Sequence, residues 1–408
     1  MIALATLVPS APRGSTPALC LLCGDAGLVD VLLNVLLFVP LGVGLALIGV
    51  RPWRTAGISA ALSLVIECLQ ITIIVGRDAS VGDLLMNSIG GVLGYALVDT
   101  AELWGRPSRR AARNLAVAWT LVWLVVQLIA GLALAPSMTV TQFYGQINRS
   151  ITTPFPGDVL AASAGGVVIP NHRLADSRPL RDMLARRATP IEVTVIPHGR
   201  TSRPAPIVRI ADADGNEILA VLQSKLDVMF VLRTRTGDWR LRPMTFRLAR
   251  AFPPPDSIGR DTLRLIARYG QTAVTLESRW RERHVQREFR LTPSLGWTMV
   301  FPFDIETNGA LSKTVLASLW LAALVLPIGY WGWLALDRGA TARAHRLTHW
   351  AAIVLVPLVL GLVAVPVGLG LQASTPWEWA AALGGVMLGR RWAAKLTTDP
   401  TPTGVMTR

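Results

Sequence analysis

Long apolar stretches separated by short charged ones fill the first third and the last quarter of the chain. Runs at about 28–50, 56–75, 81–98, 115–136, 312–336 and 350–371 approach the ~20 residues that cross a bilayer core as a helix. A shorter run covers 377–389, giving about seven spans. Residues 1–9, ending Thr6-Leu7-Val8-Pro9, read as the tail of an eighth span cut short, as a start codon placed too far downstream would leave it. No basic residue precedes that opening run, so the three-part pattern of a signal peptide is missing and targeting rests on the spans themselves.

Between 138 and 308 the pattern changes. Ile191-Glu192-Val193-Thr194-Val195-Ile196 and Ile207-Val208-Arg209-Ile210 alternate apolar with polar, as strands with one buried face do. A turn at Asp212-Ala213-Asp214-Gly215-Asn216 leads into 218–222, and further strands are expected at 228–235, 263–268 and 273–276. The chain therefore divides into membrane helices (1–100), a basic loop and fourth helix (101–137), an inserted all-β sandwich (138–308), and the last helices with a basic tail (309–408).

Composition agrees with that division. Charged residues are 16% of the chain and hydrophobic ones 51%, the balance of an integral membrane protein. A net charge of +14 invites a nucleic-acid reading, but a dozen basic residues sit in four clusters after the first, third, fifth and last spans. These are Arg51 and Arg54; Arg106, Arg109, Arg110 and Arg113; Arg338, Arg343 and Arg346; and Arg390, Arg391 and Lys395. Placing all four in the cytoplasm satisfies the positive-inside rule without conflict and puts the insert outside. With no basic stripe interleaved with aromatics outside the insert, nucleic acid is not an expected partner. The insert holds 24 basic against 16 acidic residues, a surface that would attract anionic headgroups or acidic glycans. Arginine usage in a GC-rich genome explains the same count.

Candidate chemistry lies in the first spans. Asp30-x3-Asn34 precedes Phe38-x-Pro40-x-Gly42; Glu67-x2-Gln70 is followed by Arg77, then Asp83-x3-Asn87, Gly90, Gly91 and Gly94. Polar and ionisable groups in membrane helices cost free energy unless they pair or line a wet cavity, so they are site candidates by default. The i, i+4 spacing puts Asp30 with Asn34, and Asp83 with Asn87, on one helix face each. Glu67, eleven residues into its expected span, falls near the bilayer midplane. Structural explanations run alongside. Asp30 and Asp83 suit helix N-caps, Asn34 and Asn87 suit interhelical hydrogen bonds, and Gly90-x3-Gly94 suits close packing. Pro40 and Gly42 suit a bend, and Glu67 with Arg77 suits a buried pair.

Elsewhere the signals are thinner. Cys20-x2-Cys23 reads as a local disulfide or free thiols rather than half a zinc site, and Cys68 as packing. Asp212-x-Asp214-Gly215 suits a hairpin turn or a calcium ligand set, Asp304-x-Glu306 is incidental, and His172, His198 and His284 are scattered. No cofactor and no metal is expected.

At Asp30, Asn34, Phe38, Pro40, Gly42, Glu67, Gln70, Arg77, Asp83, Asn87, Gly90 and Gly94 the chain resembles the VanZ-like family of bacterial membrane proteins, named for teicoplanin resistance. The resemblance covers about 1–100 and departs from the family in the truncated first helix. It implies a multi-pass protein of the bacterial plasma or inner membrane. The helix positions of Asp30, Asn34, Glu67, Gln70, Arg77, Asp83 and Asn87 let them converge on a pocket in the outer half of the membrane, suited to a lipid headgroup, a lipid-linked glycan or a glycopeptide antibiotic. The expected role is binding and envelope protection. The alternative is an enzyme acting on a lipid-linked cell-wall intermediate, with Glu67 as acid or base and Asp83 as a further catalytic candidate. The strand layout around Pro204-Ala205-Pro206-Ile207 resembles the concanavalin A-like, or laminin-G-like, jelly roll, which implies glycan or protein recognition by the insert.

Overall fold

The computed structural model describes residues 27–72, 80–138, 142–148, 153–187, 189–254, 261–300, 310–336 and 343–398. The first helix, α1 (Gly27–Leu47), carries Pro40 inside it. α2 (Pro52–Thr72) begins on a proline, which lacks the N–H that a first turn leaves unused. Ser80 caps α3 (Val81–Asp99) by accepting the Gly82 N–H. A short α4 (Ala101–Gly105) leads to α5 (Arg109–Ala133), whose cap Ser108 accepts the Ala111 N–H.

Glycine sets how these helices pack. Gly90 and Gly94 of α3 lie against the Val35 and Val39 carbonyls of α1, and Gly42 of α1 lies against the Gly91 carbonyl. A β-carbon on any of them would fall about 2 Å from a backbone oxygen, so the helices approach at backbone distance. α3 also packs on α2, making a three-helix group.

After the β-domain come a one-turn α8 (Trp297–Val300), α9 (Ala310–Leu334), α10 (Arg343–Val359), a π-helical turn at Leu360–Ala364, a short α11 (Val365–Gly368) and α12 (Pro376–Thr398). The apolar run at 377–389 foretells a shorter last helix. α12 continues through Arg390, Arg391 and Lys395 because these residues are good helix formers even where they end the hydrophobic signal. α9 and α12 repeat the glycine contact, with Gly329 on Val386 and Gly385 and Gly389 on the Ala322 and Leu326 carbonyls. α5 joins them through the Trp119 indole N–H, which donates to the Leu324 carbonyl at 2.7 Å. Among the described residues five helices are long and apolar enough to cross a membrane: Gly27–Leu47, Val81–Asp99, Arg109–Ala133, Lys313–Leu334 and Leu347–Gly368.

The insert is two antiparallel sheets face to face. β1 (Tyr144–Ile147), β5 (Thr201–Ala211), β6 (Glu217–Lys225), β7 (Asp227–Leu232) and β8 (Thr245–Leu248) form one in the order β1-β5-β6-β7-β8. The other runs β11-β10-β9-β4-β2-β3, from β2 (Gly157–Ala164), β3 (Val167–Val168), β4 (Pro190–Pro197), β9 (Leu263–Tyr269), β10 (Ala273–Trp280) and β11 (Arg283–Arg290). The strand expected at 228–235 stops at Leu232, where a one-turn helix α7 (Arg235–Asp238) begins. Another helix, α6 (Arg178–Ala185), packs Leu180 and Leu184 into the core.

That core does not end with the strands. Val29 of α1, Ala133 at the end of α5, Leu134 and Leu371 belong to the same apolar cluster as Ile191 and Phe230. The Tyr269 hydroxyl donates to the Leu134 carbonyl at 2.6 Å, and the Leu28 N–H donates to the Arg240 carbonyl at 3.2 Å. The β-domain is therefore seated on the ends of α1 and α5.

Candidate functional site

The polar candidates of α1, α2 and α3 gather at the end of the three-helix group that faces the β-domain. The Asn34 amide donates to Asp83 Oδ1 at 2.7 Å, joining α1 to α3. The Ser80 N–H donates to Glu67 Oε2 at 2.9 Å, joining the start of α3 to α2. The Asn87 amide donates to the Ser63 hydroxyl at 2.9 Å, one turn deeper. Asp30 lies exposed one turn before Asn34 on α1, and Gln70 is buried one turn beyond Glu67 on α2. Arg77 lies outside the described residues, as do Cys20, Cys23, Asp304 and Glu306.

α2 starts at Pro52, four residues before the expected start of its span, and the Glu67 carboxylate accepts the backbone N–H of the residue that caps α3. It sits at the mouth of the three-helix group, where it holds the entry to α3.

A polar stripe that hydropathy did not reveal runs down α2. Thr55, Ser59, Ser63, Glu67 and Gln70 follow at intervals of four, four, four and three, and all are buried against the neighbouring helices. Ser59 presses on Gly91, whose missing side chain makes the room. The Asn87 Oδ1, Ser59 Oγ and Thr55 Oγ1 atoms are buried with no hydrogen-bond partner. An unsatisfied buried amide oxygen costs about 1–3 kcal/mol, so Asn87 is held by its helix rather than by a full set of bonds. Single hydroxyls barely lower the hydropathy of a span, but their i, i+4 spacing was a readable signal.

The β-domain has charge clusters of its own. Glu277 is buried on the outer face of the six-stranded sheet and takes hydrogen bonds from Arg268 at 3.3 Å, from His284 at 3.0 Å and from Arg279. Burial alone would raise its pKa, yet the hydrogen bonds from Arg279 and Arg268 outweigh it and hold the carboxyl below its ordinary range. His284 thus belongs to an ion cluster, whereas His198 pairs with Asp158 at the exposed end of the sheet. Asp212 spends its oxygens on its own turn, accepting from the Asp214 and Asn216 N–H groups and the Asn216 amide. Among the described residues no group of three or more His, Cys, Asp and Glu converges as metal ligands would.

The five apolar helices of membrane-crossing length make this a multi-pass membrane protein. A family model described as VanZ/LLP1 matches residues 7–105, the stretch that holds every one of these mouth residues. That quarter of the chain is similar to the VanZ family, and the match supports that family for this part of the protein. No curated protein and no solved structure matches the chain.

Proposed function

We propose that the mouth of α1–α3 binds the headgroup of an envelope lipid, a lipid-linked glycan or a lipoglycopeptide antibiotic, and that the protein protects the bacterial envelope by that binding. The observation that carries this reading is the joining of three helices by polar side chains at one end, Asn34 to Asp83 and Glu67 to Ser80. In a bilayer such groups gather where water or a polar ligand reaches them. The basic clusters support a seven-span arrangement that includes α2 and α12, with this mouth and the β-domain outside the plasma or inner membrane. The stripe on α2 faces its neighbours, which makes a span of mixed composition affordable. The sandwich supports glycan or lipid recognition of the concanavalin A-like or laminin-G-like kind. The Glu67 bond to a backbone N–H favours a positioning role for this carboxylate over acid–base turnover.

The experiment is teicoplanin susceptibility of a sensitive Gram-positive host expressing the chain, beside Asp83→Asn, Glu67→Gln and Arg77→Ala at matched membrane abundance. Protection by the parent and loss in the variants supports the mouth as the working element. Equal protection by parent and variants makes the cluster structural. No protection by any form removes the antibiotic from the proposal. Glu67→Asp separates binding from turnover: a catalyst would lose most of its rate, a binder only a modest part of its affinity.

A further inference from the structure

At the junction between the β-domain and the helices, Arg187, Arg235 and Arg242 have no acidic partner among the described residues. Arg233 is matched, lying 3.6 Å from Asp212 and 3.4 Å from Asp238. Its neighbours are not. Arg235 is exposed at the start of α7, with its backbone N–H donating to the Ala135 carbonyl just past α5. Arg242 donates its backbone N–H to the Met299 carbonyl, and its Nε is buried without a hydrogen-bond partner. Arg187 lies over the Tyr269 ring at 5.9 Å and donates to the Gln271 carbonyl, next to the hydroxyl that reaches Leu134. Arg187, on Tyr269, and Arg235, on Ala135, thus both stand at the end of α5; burial is the main cause that holds the Arg187 pKa below its ordinary value.

Arg187 and Arg235 mark the end of α5, and Arg242 follows two residues after the Arg240 carbonyl that receives the Leu28 N–H, so the backbone carries the three in an arc from the end of α5 to the start of α1. α1 and α5 are both long and apolar enough to cross a membrane, and the arc lies at the ends of the two. Topology does not account for it, since basic residues that set orientation belong on the opposite side. Guanidinium groups without acidic partners repel one another at close range, and fork-shaped donors of this kind match phosphate oxygens.

We infer that Arg187, Arg235 and Arg242 form a phosphate-binding collar that holds the headgroup phosphate of an anionic membrane lipid beside the mouth of α1–α3. The inference deepens the reading above and rests on it only for what the mouth does with the lipid so held.

The test uses the full chain in a neutral detergent, titrated with phosphatidylglycerol or phosphatidylcholine, with the thermal midpoint as readout. The parent, Arg187→Gln/Arg235→Gln/Arg242→Gln, Arg235→Gln/Arg242→Gln, Asp83→Asn and the cytoplasmic control Arg109→Gln/Arg110→Gln/Arg113→Gln are compared. The double variant keeps the Arg187 contact with Tyr269, so a folding defect in the triple variant does not end the test. Expected is a midpoint raised by phosphatidylglycerol over phosphatidylcholine, with apparent affinity falling about tenfold in both collar variants, the scale of one charge-assisted bond. An unchanged lipid response in the collar variants, with loss in the cytoplasmic control, overturns the collar. An equal shift from millimolar orthophosphate without lipid assigns the arginines to free phosphate and also overturns it. Loss in the collar variants with an unchanged Asp83→Asn response keeps the collar and removes lipid binding from the mouth.

Discussion

Asn34 and Asp83 show what one side chain contributes when water is scarce. Their 2.7 Å bond ties α1 to α3 and gives a carboxylate near the membrane a donor. Asn34→Ala is expected to cost about 1–2 kcal/mol, the range for interhelical hydrogen bonds, seen as a lower thermal midpoint of the purified chain. Tyr269 gives a prediction of opposite chemistry. Burial raises its pKa from 10.0 to about 12. Because the folded value lies above the unfolded one, the contribution is full below pH 10 and is lost as pH rises towards about 12. A two-unit shift corresponds to roughly 2–3 kcal/mol. The midpoint of the parent should fall between pH 10 and 12 more steeply than that of Tyr269→Phe, which begins lower through loss of its bond to Leu134. Of these residues the sequence marked Asn34 and Asp83, because polar groups stand out in an apolar run. Tyr269 was not marked, since a tyrosine ending a strand looks the same whether its hydroxyl meets solvent or a helix end.

At the scale of elements, contact between helices is decided by the absence of side chains. Gly42 and Gly44 lie on the same helix, yet a β-carbon at 42 would sit 1.9 Å from the Gly91 carbonyl while one at 44 meets nothing within 4 Å. Gly42→Ala must push α1 from α3, and overpacking of this kind costs about 1–3 kcal/mol or more. Gly44→Ala should be neutral or slightly stabilising, since alanine is the better helix former. Thermal unfolding of the pair in one detergent checks both, and equal losses would refute the packing argument. Helices were legible wherever the apolar run was long, as in α1, α5 and α9. The strands were less so. β11 reads Arg-His-Val-Gln-Arg-Glu-Phe-Arg, and β2 is mostly small residues. Each has only two large apolar side chains, Val285 and Phe289 in β11 and Val159 and Leu160 in β2, against the four of β4, and each gains its place from the neighbour it pairs with.

The whole molecule depends on how firmly the β-domain grips the helices, and a buried carboxylate makes one such grip. Glu378 stands third in α12, where Thr375-x-x-Glu378 forms a capping box: the Thr375 N–H donates to Oε2 at 2.5 Å and the Glu378 N–H to the threonine hydroxyl at 3.4 Å. Its other oxygen accepts the hydroxyls of Thr292, at 2.6 Å, and of Ser294, both in the segment that leaves the last strand. The box is readable in the sequence from its spacing. The hydroxyl pair is not, being 84 and 86 residues away. Glu378→Leu removes the acceptor and leaves two buried hydroxyls seeking partners, at about 1–3 kcal/mol each. Because α12 and α9 touch at backbone distance through Gly385 and Gly389, the loss should loosen the seat of the domain without separating the helices. Hydrogen exchange of the intact protein provides the measurement. Protection should fall across 291–300 and the first turn of α12, and persist in the middle of α9 and in β9. A fall spread evenly over the chain would instead make Glu378 part of general stability, and the domain would need another anchor.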